Sequence, residues 1–156
     1  MRILAIMLAL FAAPAWSLSC MRPDIAQAYA VAQDDPAEWI IVAGRFTAGS
    51  PGMSWTPKTG QGTLMTRLEG RALTRNGFTA AFSEPVAVEV SCVSQWCGTV
   101  GPKTDYVVFL RKDEGSYRTF AKPCPNHIFF FDDAPKTEAM LTACLRGSCP
   151  QGRSKP

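Results

Sequence analysis

Six cysteines and one histidine carry most of the reactive chemistry in this sequence. The cysteines are Cys20, Cys92, Cys97, Cys124, Cys144 and Cys149. They could act as nucleophiles, metal ligands or bridge partners. No Cys-x-x-C pair occurs, so the thioredoxin-type redox motif is not indicated. A zinc site is poorly served by a single imidazole in an oxidising compartment. An even cysteine count in a secreted chain implies three bridges, with fifteen connectivities open. Two pairs share the spacing C-x4-C, Cys92-VSQW-Cys97 and Cys144-LRGS-Cys149, and each segment can fold back on itself. The simplest pairing is then Cys92–Cys97, Cys144–Cys149 and Cys20–Cys124. The last closes a loop of about 100 residues, worth roughly 4–5 kcal/mol in the chain-entropy model.

His127 lies in Cys124-Pro125-Asn126-His127. A catalytic imidazole needs a nucleophile and an orienting partner. No Gly-x-Ser-x-Gly, His-Glu-x-x-His or phosphate loop accompanies it. With the cysteines bridged, no thiol is free. His127 therefore reads as a surface histidine, and Asp132-Asp133 as a helix cap rather than a carboxylate pair. No catalytic, metal or cofactor-binding residue is assigned, and the chain is not expected to be an enzyme; an extracytoplasmic enzyme of unrecognised type is a further alternative, which requires His127 in a cleft with a perturbed acid near it.

The N-terminus sets the compartment. Arg2 precedes an apolar run from Ile3 to Ala13, and Pro14 breaks it before Ala15-Trp16-Ser17. That is the layout of a secretory signal peptide over residues 1–17, too short for a transmembrane helix of about 20 apolar residues. No later stretch qualifies as a span. Cleavage after Ser17 makes Leu18 the mature N-terminus. Cleavage after Ser19 exposes Cys20, and lipid attachment at Cys20 is a third reading with a poor sequence match. The expected address is periplasmic or secreted. Removing Arg2 leaves a mature chain of about +2, too mild to argue for nucleic acid or an anionic membrane.

The elements that must position these residues follow from patterning. About 139 mature residues make one domain over 18–150, with a frayed tail at 151–156. Pro23 to Ala32 predicts a short helix, with Ile25, Ala28, Tyr29 and Ala32 on one face and Asp24 near its start. Asp34-Asp35-Pro36 ends it. Trp39 to Phe46 is the clearest strand. Thr47 to Gly62 is a long Gly/Pro/Ser/Thr-rich loop. Thr63 to Leu73 predicts a strand with Leu64, Thr66, Leu68 and Ala72 on one face. Arg75-Asn76-Gly77 is a turn. Phe78 to Phe82 and Val86 to Val90 are strands separated by Pro85. Cys92 to Lys103 is a loop. Tyr106 to Leu110 and Tyr117 to Ala121 are strands joined by the tight turn Asp113-Glu114-Gly115-Ser116. Phe129-Phe130-Phe131 reads as core. Lys136 to Leu145 predicts a helix with Ala139, Met140, Ala143 and Cys144 at helical spacing, capped by Asp132 or Asp133 and stopped at Gly147. The sum is mainly β: five or six mostly antiparallel strands, flanked by helices at both ends. A small closed barrel meets this pattern and removes edge strands.

The order of motifs resembles netrin-like modules and tissue inhibitors of metalloproteinases. Leu18-Ser19-Cys20, Pro23 and Gln27-Ala28-Tyr29 resemble their opening, where Cys-x-Cys precedes a Pro-containing segment and a short helix. Trp39 to Phe46 is similar to their first barrel strand. Trp96-Cys97-Gly98 is similar to their Cys-Gly loop, and Asp105 to Leu110 to the next strand. Phe120 to Cys124 and the closing helix with its late cysteine also fit. The resemblance implies an OB-type five-stranded closed barrel. It matches Cys20 to Cys124. It places Leu18 where the family has a cysteine that pairs with the counterpart of Cys97, so Cys97 needs another partner, and Cys92 is near.

In those inhibitors the free amine and carbonyl of the first residue chelate the target's zinc. The resemblance places Leu18 there, with Ser19 beside it, but without the bridge that would pin it. A metalloprotease is thus one candidate partner, and an otherwise unidentified protein is the other. Met53 and Trp55 in the long loop, and Trp96 between the paired cysteines, are further candidate partner-binding residues. Bulky aromatics of this kind anchor interfaces when exposed. They equally fold back onto a barrel, and Trp96 is read as packing on its bridge.

Overall fold

The structure is a computed structural model that describes residues 20, 24–47, 61–102 and 104–150. Residues 1–17, expected to be a signal peptide, and Leu18, Ser19, Met53 and Trp55 lie outside the described residues. Helix α1 (Ile25–Asp34) leads into β1 (Glu38–Thr47), β2 (Gly62–Thr74) and β3 (Gly77–Val90). Two-residue strands β4 (Cys92–Val93) and β5 (Trp96–Cys97) follow. Strands β6 (Tyr106–Asp113), β7 (Ser116–Ala121) and β8 (Ile128–Phe130) precede helix α2 (Ala134–Leu145).

The main sheet runs β1-β2-β3-β7-β6-β8, and β1 also pairs with β6. That last pairing closes β1, β2, β3, β7 and β6 into a five-stranded barrel. All its pairings are antiparallel except β3 with β7. Order, closure and the single parallel pair make it an OB-type barrel, with α1 and α2 at its two chain ends.

β6 explains why the core has two compartments. All five residues from Tyr106 to Leu110 are buried. Alternation sends Tyr106, Val108 and Leu110 into the barrel with Phe46, Leu68 and Val86. It sends Val107 and Phe109 outward, where α1 and α2 cover them with Tyr29, Leu141 and Cys144. A strand buried on both faces loses its polar alternation, which is the continuous apolar run seen in the sequence.

Several local expectations change. Pro85 does not divide a strand: β3 is continuous and Pro85 pairs in register with Arg67. Pairing of β3 with β7 begins only at Val86. At Pro85 that side of the strand is therefore free, and the missing N–H breaks no ladder there. The Cys92–Lys103 loop contains the small β4–β5 hairpin. In α2 the buried residues are Leu141 and Cys144, while Ala139 is exposed, so the apolar stripe is rotated from the expected one. The Phe129–Phe131 run is split by β8. Phe129 is buried, Phe130 is 62% exposed, and Phe131 packs edge-on against Phe78 at 5.8 Å. Alternation along a strand forces consecutive rings to opposite faces.

The turns and caps are as their residue types require. Glu114 and Gly115 both have positive φ (46° and 87°), which a two-residue hairpin turn needs. Asp24 caps α1, accepting from the Ala26 and Gln27 amides at 2.9 and 3.2 Å. Asp133 caps α2 through the Lys136 amide, and Gly147 ends it with φ of 86°. Bridges join Cys20–Cys124, Cys92–Cys97 and Cys144–Cys149, leaving no free thiol.

Candidate functional site

Two features stand out, and the segment from Lys122 to Phe130 contributes to the depressions at both. The first is a cleft of about 540 Å³ between α1 and that segment, closed at one side by the Cys20–Cys124 bridge. Several elements build its wall. α1 offers Ala28, Val31 and Ala32, the helix-to-strand junction offers Asp35 and Trp39, the segment before β8 offers His127, and β8 offers Phe129.

His127 is therefore not the surface residue expected from its sequence. The Phe109 amide donates to its carbonyl at 2.8 Å, tying the segment to β6. Its ring stacks on Trp39 with centroids 5.3 Å apart and planes 17° apart. Phe120 flanks it at 5.2 Å. Burial among these rings, aided by the nearby Lys122 charge and opposed by Asp35, lowers its pKa from 6.5 to about 4. The ring is neutral at pH 7. Its Nδ1 donates to the Asn126 side-chain oxygen at 2.6 Å, leaving Nε2 as an acceptor. The Trp39 indole N–H is shielded from solvent and has no hydrogen-bond partner.

The described lining holds no serine, threonine, tyrosine or free thiol, so the neutral imidazole has no side-chain nucleophile to activate. Among the described residues no group of three or more His, Cys, Asp or Glu is arranged to hold a metal ion, and no helix is long and apolar enough to cross a membrane.

The second feature is the β4–β5 hairpin. Cys92 pairs with Cys97 and Val93 with Trp96 across two strands two residues long. Ser94 takes positive φ (55°) at the turn. The bridge clasps the base, so the Val93–Trp96 pair stands at the tip. Val93 is 55% and Trp96 50% exposed. Trp96 thus faces outward rather than packing wholly on its bridge. Backbone bonds seat the hairpin: the Ser91 amide donates to the Ala121 carbonyl and the Gly98 amide to the Ser91 carbonyl, each at 3.0 Å. Gly98 is required at this joint, since a Cβ there would lie 2.2 Å from the Ala121 backbone. A shallow groove of about 210 Å³ continues from Cys97 and Gly98 to Lys122, Pro125 and the exposed Phe130. Pro125 lines both depressions.

Of the candidate residues from sequence, only Trp96 and the cysteines fall within the described residues. Reading the sequence alone missed Trp39, Asp35 and Phe130. Trp39 read only as a strand start and Asp35 as a helix stop, and nothing in their spacing ties them to His127, which topology alone brings near.

Fold and surface together define a disulfide-clamped OB-type barrel with an aromatic cleft and an exposed apolar hairpin. No protein-family model, curated protein or solved structure matches the chain. Three formed bridges fit an oxidising, extracytoplasmic environment.

Proposed function

We propose that this chain is an extracytoplasmic, non-enzymatic protein-binding module that docks its partner through the β4–β5 hairpin. The observation that carries this reading is the exposed Val93–Trp96 pair on a bridged turn. A tryptophan is a strong interface anchor. A clasped hairpin loses little conformational freedom on binding, so less of the contact energy is consumed by ordering. Phe130 extends the apolar surface along the groove that starts at the hairpin's base.

The test is affinity capture from the extracytoplasmic fraction, followed by binding measurements on the captured protein with the wild type and Trp96→Ala. Loss of a central aromatic anchor weakens such an interface by about 30-fold or more. Unchanged affinity in Trp96→Ala removes the hairpin from the interface.

A second reading, metalloprotease inhibition through the mature N-terminus, is favoured by the Cys20–Cys124 bridge, which ties the residue two after Leu18 to the barrel. It requires a free amine at Leu18. Inhibition of a zinc metalloprotease by the mature chain, lost on acetylation of that amine, supports it, and no inhibition by either form ends it.

A further inference from the structure

The cleft beside α1 carries a charge pattern unlike the rest of the molecule. The whole chain is net positive at +3. Yet among the described residues the charged side chains lining the cleft are two carboxylates, Asp24 and Asp35. They sit at opposite ends of α1, Asp24 as its N-cap and Asp35 as its C-cap. A ten-residue helix separates them by about 15 Å.

The two ends differ in what they attract. At the N-terminal end the Asp24 carboxylate is already engaged by two backbone amides, and the helix dipole there disfavours a cation. At the C-terminal end the unsatisfied carbonyls carry partial negative charge, and no basic residue stands in the last turn to neutralise them. Asp35 adds a full charge, and Trp39, one face of which is taken by His127, adds an aromatic wall beside it. His127, neutral at pH 7, contributes no opposing charge. Lys122, whose charge is felt at His127 more strongly than that of Asp35, stands over the Phe120 ring and lines the neighbouring groove rather than this cleft. Between the two ends the wall is apolar, through Ala28, Val31, Ala32 and Phe129.

We infer that this cleft binds a small organic ammonium ion with an apolar body. The ammonium head sits at the α1 C-terminus between Asp35 and Trp39, and the body lies along Val31 and Phe129 towards the Cys20–Cys124 bridge. The site is distinct from the hairpin of the proposed docking surface and stands whether or not that reading holds.

Three probes with one apolar body and different heads test it: phenylbutylamine, phenylbutanol and phenylbutyrate, titrated into the full mature chain and followed by NMR. Ligands of this size in such a site bind with a dissociation constant of about 1 mM. The amine shifts the Trp39 indole and His127 ring signals, binds tighter than the alcohol, and the carboxylate binds weakest. Asp35→Asn weakens the amine about threefold to fivefold, as expected for a partly exposed charge pair, and leaves the alcohol unchanged. Asp24→Asn changes the amine less than about twofold, because it lies a helix length away. Both variants keep their folds, since an asparagine oxygen still accepts from the Ala37 amide at Asp35 and from the first-turn amides at Asp24. No amine binding near ~1 mM, equal binding of all three probes, shifts elsewhere on the barrel, or an Asp35→Asn variant indistinguishable from wild type would each overturn the assignment.

Discussion

The ring of His127 makes stability depend on pH in a definite direction. Its pKa falls from 6.5 when unfolded to about 4 in the fold. Between those values the unfolded chain binds a proton that the native chain does not, so stability rises with pH across that window. The contribution is fully present above about pH 6.5 and is lost as pH falls towards 4. Fully expressed, the gap is worth about 3 kcal/mol. Solvent reaches part of this half-buried ring, which reduces the figure to about 1–2 kcal/mol. The perturbation is His127→Phe, which keeps an aromatic ring against Trp39 and Phe120 and removes the titration. Urea unfolding of both proteins at pH 7 and pH 4 gives four stabilities. The carboxylates that titrate over the same range are common to both chains and cancel in the difference. The wild type should lose about 1–2 kcal/mol more than His127→Phe on going to pH 4. Equal losses, or an imidazole that titrates near 6.5 by NMR in the folded wild type, would refute the packing argument.

Other substitutions probe the frame. Leu141→Ala removes a fully buried side chain from beneath α2 and should cost about 2–5 kcal/mol by denaturant unfolding. The Cys20→Ala/Cys124→Ala pair opens a sequence separation of 104 residues and should lower stability by about 4–5 kcal/mol. The Cys92→Ala/Cys97→Ala pair opens a short loop and should cost about 2 kcal/mol in the same chain-entropy model. Gly98→Ala drives a Cβ into the Ala121 backbone and should destabilise by about 1–3 kcal/mol as the hairpin is levered off the barrel, visible as a lowered melting temperature.

The barrel was legible because its signals are local. Bulky alternation in Trp39–Phe46 and Thr63–Leu73, and a Glu-Gly turn before Tyr117, announce strands and hairpins directly. For the same reason Asp24 could be read at the start of one helix, and Asp132 or Asp133 as the cap of the other. The continuous β3 was hidden because Pro85 is tolerated only where one side of the strand is unpaired, a fact of topology. The α2 stripe was misplaced because alanines at 139 and 143 mimic a face whose real anchor is Leu141. Phe130 was assigned to the core because three consecutive phenylalanines look uniformly apolar until pairing with β6 fixes their alternation. The cleft was invisible for a stronger reason. His127 lies about ninety residues from Asp35 and Trp39 in the chain, and each residue type has an ordinary explanation where it stands.

The most direct measurement on the docking surface is site-specific photocrosslinking in the extracytoplasmic compartment. A photoreactive phenylalanine replaces Val93 at the hairpin tip in one protein and Met65, 52% exposed on β2, in another. One discrete adduct from position 93, absent from position 65 and lost when Trp96→Ala is added, is the expected result. No adduct from position 93, or the same adducts from both positions, would contradict the hairpin as the interface.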